Sequence, residues 1–244
     1  MEPHPPDPDR PRLTVVLPAY GEEHRIADTI RRVRDSVGTF ADTEIVVVDD
    51  GSPDRTADAA RDAGADQVLR LPRNQGKGAA VRSGMLAAKG STVTFTDADL
   101  AYSPAQLVTL LDHVENGWDV VVGNRHSRTT AGPPGVRDVG HLAFNAITRT
   151  VLDRRFADTQ CGFKGFHRSA AQRLFSVSRI DRFAFDVELL WLAGHFGMAI
   201  TEVPVVLDRA EGSTVRLSID ALRMMRDLLR IRRWAAKGAY GPPG

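Results

Sequence analysis

The sequence predicts an α/β protein built on a mostly parallel sheet flanked by helices. Short apolar, β-branched runs alternate with helix-patterned segments at spacings of roughly 20–30 residues up to about residue 124, the rhythm of consecutive βα units. Two of those runs end in acidic pairs, Asp49-Asp50 and Asp97 with Asp99. Carboxylates at the carboxyl ends of neighbouring strands face the crevice in which open α/β sheets bind ligands.

Leu13 to Pro18 reads as a short buried strand, followed by Tyr20-Gly21-Glu22-Glu23 and a helix from about Arg25 to Val37, with Ile26, Ile30, Val33 and Val37 at helical spacing. Residues 44–49 form the next strand. Gly51-Ser52-Pro53-Asp54 supplies turn and cap chemistry for a helix through Ala63. Gln67 to Leu71 is a third strand, Asn74 to Gly78 opens a helix to Ala88, and Thr92 to Thr96 is a fourth strand. Ser103-Pro104 starts a helix over 105–115, and Asp119 to Gly123 is the fifth strand. Beyond it the rhythm breaks. A Gly/Pro-rich loop (129–135) precedes a helix near 138–152, a loop carrying Cys161-Gly162-Phe163-Lys164-Gly165, a helix from Asp186 to Phe196 and a strand near Ala199 to Val206.

Three regions follow: a disordered lead-in at 1–12 with five prolines, a main domain at 13–215, and a basic amphipathic helix and tail at 216–244. Within the main domain, 13–125 reads as the nucleotide-binding half and 126–215 as the half recognising the second substrate. Charged residues make up 26% of the chain and the net charge is +1, so the molecule as a whole has no general attraction to nucleic acid. The basic stripe is short and no nucleic-acid reading motif is present. No apolar run approaches the roughly 20 residues needed to cross a bilayer. The single cysteine, Cys161, excludes an intramolecular disulfide and fits a reducing cytoplasm.

Asp49-Asp50-Gly51-Ser52 has a plain reading as a strand end and helix cap, and Asp97-Ala98-Asp99 has the same one. Their recurrence in one sheet favours a cation, because converging unpaired carboxylates repel. Mg²⁺ or Mn²⁺, hard ions that bridge carboxylates to phosphates, suit this donor chemistry. Asn74 to Gly78 is a candidate anion cradle at a helix start, with Lys77 a nucleotide-binding candidate, although it lacks the ending of a Walker loop. Arg125 follows the fifth strand on the acidic edge, and Arg137 and Lys164 lie in the irregular segments. Guanidinium forks there suit phosphate. Asp186 and Glu188 open a helix, either as partners of its dipole or, for Asp186, as a catalytic base.

Near the C-terminus, Leu217, Ala221, Met224, Met225, Leu228 and Ile231 share one helical face, and Arg223, Arg226, Arg230 and Arg233 form a stripe on another. Arg216 to Lys237 holds seven cations and two acids. This is a helix either packed on the domain or lying at an anionic membrane surface.

The ordered set comprises Val16-Leu17-Pro18-Ala19-Tyr20-Gly21-Glu22-Glu23, Val47 to Ser52, Asn74 to Met85, Thr96-Asp97-Ala98-Asp99-Leu100, Gly123-Asn124-Arg125, Asp158 to Phe166, Phe185 to Leu190 and Glu202 to Val205. It resembles the family 2 glycosyltransferases of GT-A (Rossmann-like) fold from about Leu13 to Arg233. Within them it is most similar to the dolichyl-phosphate β-glucosyltransferases, with the dolichyl-phosphate mannose synthases next. The resemblance implies that Pro18, Tyr20, Glu22 and Asp50 hold the nucleoside and that Asp97 and Asp99 hold Mg²⁺ or Mn²⁺ on the diphosphate. It also implies that Arg125, Arg137 and Arg209 face phosphates of donor or acceptor. Relatives commonly carry a basic residue where this chain has Thr214.

The implied reaction moves glucose from UDP-glucose to a polyprenyl phosphate at the cytoplasmic face of a membrane, with inversion. An ionised lipid phosphate needs cations to position it and no base. Arg125, Arg137, Lys164 and Arg209 supply those cations, with Asp99, Arg125 and Asp186 nearest the chemistry. The alternatives are mannose transfer from GDP-mannose, or transfer to a hydroxyl with Asp186 as base.

Overall fold

The computed structural model describes residues 2–38, 40–125, 161–208 and 217–243, with residues 217–223 described as helical backbone. The strands are β1 (Leu13–Ala19), β2 (Thr43–Asp49), β3 (Gln67–Arg70), β4 (Thr92–Phe95), β5 (Val120–Asn124), β6 (Lys164–His167) and β7 (Ile200–Pro204). They form one sheet in the order β3-β2-β1-β4-β6-β5-β7. Every pairing is parallel except those of β6, which runs antiparallel to both β4 and β5. The described helices are α1 (Ile26–Val37), α2 (Thr56–Asp62), α3 (Lys77–Ala87), α4 (Leu107–Glu115), α5 (Arg168–Val177), α6 (Phe185–His195) and α7 (Leu217–Ala236).

The apolar runs explain the layering. Alternate residues of a strand face opposite sides of the sheet. Val15, Leu17, Ile45 and Val47 pack with Ile26, Ile30 and Val33 of α1 and Leu107 and Leu110 of α4. Val16, Val46 and Val48 pack on the other face with Ala80, Val81 and Met85 of α3 and with residues of α5, α6 and α7. Both faces are covered, so the middles of β1 (residues 15–17) and β2 (residues 45–48) are apolar, while polar Thr14 and Glu44 at the strand starts are paired with each other at 2.7 Å. Gly84 of α3 lets the helix approach closely, since a Cβ there would fall 2.4 Å from Val16 Cγ1.

The order places β2 on one side of β1 and β4 on the other. Their connections diverge at the carboxyl end of β1, which is where such sheets open a ligand crevice.

Several elements depart from expectation. The stretch read as a loop around Lys164 contributes β6, whose four residues Lys-Gly-Phe-His carry no strand-like alternation. Pairing on both edges stabilises it. Helix α5 follows at once, burying Ala170, Ala171, Leu174 and Phe175. Residues 2–12, expected as a disordered lead-in, lie against the amino end of the sheet. His4 N–H donates to the Glu115 carbonyl at 2.9 Å and Asp7 N–H to Ser91 Oγ at 3.0 Å. Arg12 grips the Glu115 carboxylate with two bonds of 2.6 and 2.7 Å. Helix α7 buries Met224, Leu228 and Ile231, whereas Met225 is exposed rather than on the buried face. The expected helix near 138–152 lies outside the described residues.

Candidate active site

The carboxyl ends of β1, β2 and β4 enclose a cleft of about 350 Å³ lined by Pro18, Tyr20, Glu22, Asp50, Lys77 and Asp97, together with Asn74, Gly76, Arg182 and Phe183. Local chemistry shapes each wall. After β1 the chain turns at Gly21 (φ +72), whose N–H donates to Ser52 Oγ at 3.0 Å, and Glu22 N–H donates to Thr56 Oγ1 at 2.8 Å. The Glu22 carboxylate pairs with Arg25 at 2.9 Å. After β2, fully buried Asp49 accepts the Ser52 N–H at 2.8 Å and faces Arg70 Nε at 3.3 Å, so this acid shapes the turn. Gly51 is obligatory there, because it sits at φ +69 and a Cβ would fall 2.4 Å from the Arg73 carbonyl carbon. Asp50 lines the cleft, and its carboxylate accepts Gln75 N–H at 2.7 Å and Gly76 N–H at 2.8 Å. It therefore orders the 74–76 loop as well as facing the cleft.

That loop is a packing device. A Cβ on Gly76 would lie 2.6 Å from the Asp181 carbonyl oxygen and one on Gly78 2.6 Å from that of Ile180. The two glycines admit the 180–181 backbone, which accepts the Ala79 N–H at 3.1 Å. Between them Lys77 extends to Asp97, its Nζ 2.5 Å from Oδ1. Burial works against the Lys77 ammonium, but the negative charges of Asp97, Asp186 and Asp99 outweigh it and raise its pKa. Gly162 closes the group, since a Cβ there would meet Asp97 Oδ2 at 2.7 Å.

Asp97 and Asp99 share a tight turn. Leu100 N–H donates to the Asp97 carbonyl at 3.0 Å and Ala101 N–H to Asp99 Oδ1 at 3.1 Å. Leu100 adopts φ 49 with its side chain buried. A left-handed non-glycine costs about 1–3 kcal/mol, a strain found where a site fixes its backbone. Burial first, and the charge of Asp97 second, push the Asp99 carboxyl above its ordinary range. An additional cation would relieve that repulsion. Among the described residues no group of three or more His, Cys, Asp or Glu could hold a metal. The carboxylates that the turn brings together are those of Asp97 and Asp99. Two carboxylates, with substrate phosphates and water completing the shell, fit Mg²⁺ or Mn²⁺.

Lys164 needs correction. Expected to face an acceptor phosphate, it is completely buried in β6 and donates to Asp186 Oδ1 at 2.5 Å and to the Cys161 carbonyl at 2.6 Å. Asp186 is correspondingly engaged. Burial pushes its carboxyl up, against the pull of Lys164 and Lys77. Arg125 follows β5 and is half-buried. Arg137 and Arg209 lie outside the described residues. Asn74 and Gly76, part of the expected anion cradle, line the cleft, whereas Arg182 and Phe183 were not anticipated there. Arg182-Phe183 lies one residue before the Phe185-Asp186-Val187-Glu188 motif, a signal visible only once that turn is placed beside the glycines.

A mostly parallel seven-stranded sheet with a cleft at its switch point, acids at the strand ends and an aromatic rim is the architecture of the GT-A enzymes. Residues 14–175 match the Glycosyl transferase family 2 domain, and the chain belongs to that family. It is a glycosyltransferase. It is 34% identical to the dolichyl-phosphate β-glucosyltransferase of Homo sapiens, over 94% of this chain and 77% of that protein. The Drosophila melanogaster dolichyl-phosphate β-glucosyltransferase is 35% identical over 90% and 74%. Among solved structures, the chain resembles glucosyl-3-phosphoglycerate synthase of Mycobacterium tuberculosis in complex with Mn²⁺, UDP-glucose and phosphoglyceric acid. That match has a TM-score of 0.66 and 23% identity, covering 96% of this chain and 81% of that one. At that identity the likeness bears on the fold.

Proposed function

We propose that this glycosyltransferase moves glucose from UDP-glucose to a polyprenyl phosphate, with inversion at the anomeric carbon, at the cytoplasmic face of a membrane. The relatives named dolichyl-phosphate β-glucosyltransferases support the sugar and the lipid phosphate. The observation that carries the choice of a phosphate acceptor is the Lys164–Asp186 pair: the acid considered as a candidate base is buried and ion-paired. A phosphate ionised at neutral pH attacks without one.

The roles follow from position. Tyr20, 50% exposed, and Phe183, 41% exposed, offer ring faces at the cleft for a nucleobase. Asp50 holds the loop that presents Lys77. Asp97 and Asp99 would hold Mg²⁺ or Mn²⁺, which supplies charge neutralisation on the departing nucleotide diphosphate. Lys77 adds a second cation beside Asp97. Arg125, with Arg137 and Arg209, is assigned to phosphate positioning. At the membrane, α7 presents Met225 and Leu229, the latter 63% exposed, among Arg226, Arg230, Arg232 and Arg233. Apolar side chains among arginines suit an anionic lipid interface. No described helix is long and apolar enough to cross a membrane.

A second reading, transfer to a hydroxyl with Asp186 as base, is favoured by the raised Asp186 carboxyl. The test is to incubate the protein, Mg²⁺ and a polyprenyl phosphate with radiolabelled UDP-glucose or GDP-mannose, and to count label in the organic phase with EDTA as control. EDTA-sensitive label from UDP-glucose is the expected result. Label from GDP-mannose alone would reassign the donor. UDP release that requires a hydroxyl acceptor would promote the second reading.

A further inference from the structure

Glu188 is fully buried in the first turn of α6, yet it touches neither the metal acids nor the cleft. Its carboxylate collects three donors: Arg179 N–H at 3.0 Å to both oxygens, Ile180 N–H at 2.8 Å, and Tyr240 O–H at 2.6 Å. A buried carboxylate persists only when such partners offset its lost hydration. Here the partners are the backbone of one turn and the side chain of one distant residue.

That turn sets the donor cleft. The Ile180 and Asp181 carbonyls are the groups against which Gly78 and Gly76 pack, and Asp181 accepts the Ala79 N–H. They thereby seat the first turn of α3, from which Lys77 reaches Asp97. The next two residues, Arg182 and Phe183, form a wall of the cleft. Arg82 pairs with the Asp181 carboxylate from α3, tying the same two segments together. Tyr240 is 3% exposed and brings the segment after α7 onto the turn. There Arg179 donates to the Ala239 carbonyl at 2.9 Å and lies 5.7 Å from the Trp234 ring centroid.

We infer that Glu188 is a positioning residue for donor binding: by ordering the 179–183 turn it fixes Lys77 and the Arg182–Phe183 wall, with Tyr240 completing its set of partners. The inference rests on the proposed nucleotide-sugar donor for its functional half, whereas its structural half does not. Removing the carboxylate strands two backbone N–H groups and lets the turn move. A displacement of about 1 Å is enough to weaken a positioned contact severely.

The test compares full-length wild type, Glu188→Gln and Tyr240→Phe by amide hydrogen exchange without nucleotide, and by calorimetric titration with UDP and Mn²⁺. Glutamine keeps the volume but offers one acceptor where the carboxylate offers two. Tyr240→Phe removes a single hydroxyl and keeps the packed ring, so it serves if Glu188→Gln fails to fold. The expected result is faster exchange confined to residues 76–80 and 179–183, α1 unchanged, with UDP bound roughly tenfold more weakly. Unchanged exchange in both segments, or acceleration spread equally over α1, overturns the inference. Local acceleration in a protein whose wild type ignores UDP upholds the positioning of the turn and removes the donor reading instead.

Discussion

Lys77 Nζ lies 2.5 Å from Asp97 Oδ1, placing a cation of the chain itself on one of the two acids assigned to the metal. The contact shows why two acids can be carried so close together: Lys77 offsets part of their repulsion, while Asp99 remains raised by burial and by Asp97. Lys77→Met should therefore change two affinities in opposite directions. Mn²⁺ alone should bind more tightly, because Asp97 loses a competing cation. UDP should bind roughly 10- to 100-fold more weakly, in line with the loss of a charge-assisted contact worth about 1.5–3 kcal/mol. Titration calorimetry with each probe measures both, and parallel losses of metal and nucleotide would show that Lys77 only supports the fold.

Gly162 gives a steric test of the same group. A methyl at this position would lie 2.7 Å from Asp97 Oδ2 and 3.2 Å from Lys77 Nζ. Gly162→Ala should lower metal-dependent turnover by roughly a hundredfold, the scale expected when a positioned group shifts by about 1 Å. The melting temperature should change little, since the side chains displaced are polar ends beside a cleft. Near-normal turnover in the variant would mean that Asp97 moves aside at no cost and is not a fixed ligand.

The parallel half of the fold was legible because its strands are short apolar or β-branched runs and its acids stand at strand ends. The hydrophobic period of α1 located it to within a residue of Ile26–Val37. What escaped was decided by neighbours rather than by local pattern. Lys164-Gly165-Phe166-His167 has no strand signature, and only the gap between β4 and β5 makes it a strand. The same gap buries Lys164 beside Asp186 and turns an expected phosphate contact into an internal ion pair. Met225 was placed on the apolar face of α7, yet the domain beneath covers a narrower strip and leaves it exposed. The glycines around Lys77 suggested an anion cradle, but their spacing could not reveal that they admit the 180–181 backbone.

The Lys164–Asp186 pair separates stability from catalysis. Asp186→Leu leaves a buried ammonium uncompensated and should destabilise the chain by about 3–5 kcal/mol. Lys164→Met combined with Asp186→Leu should recover most of that loss, because an apolar pair of similar volume is commonly neutral in such a position. Denaturant melts of the wild type and of the single and double variants measure the coupling. Turnover of the refolded double variant then speaks to mechanism. Retained transfer to a lipid phosphate fits a positioning role for Asp186, and complete loss in a stably folded protein returns it to the role of base.

At the opposite end of the sheet, the His4 and His167 rings stack with centroids 4.1 Å apart, and His4 Nε2 lies 3.5 Å from Asp119 Oδ1. His167 Nδ1 is bonded to Ser169 Oγ at 2.8 Å. Burial, reinforced by His4, holds the His167 pKa below its ordinary 6.5, and Asp119 opposes this only in part. A histidine depressed in the folded state binds its proton less readily there than in the unfolded chain. Stability should therefore rise with pH between the depressed value and about 6.5, and fall as acid is added through that window. The docked segment 2–12 should loosen first, because its backbone bonds to Glu115 and Ser91 flank the histidine stack. Melting temperatures from pH 5 to 7.5 should fall with acid more steeply in wild type than in His167→Gln, whose amide does not titrate. Equal slopes in the two proteins would assign the acid sensitivity to other groups.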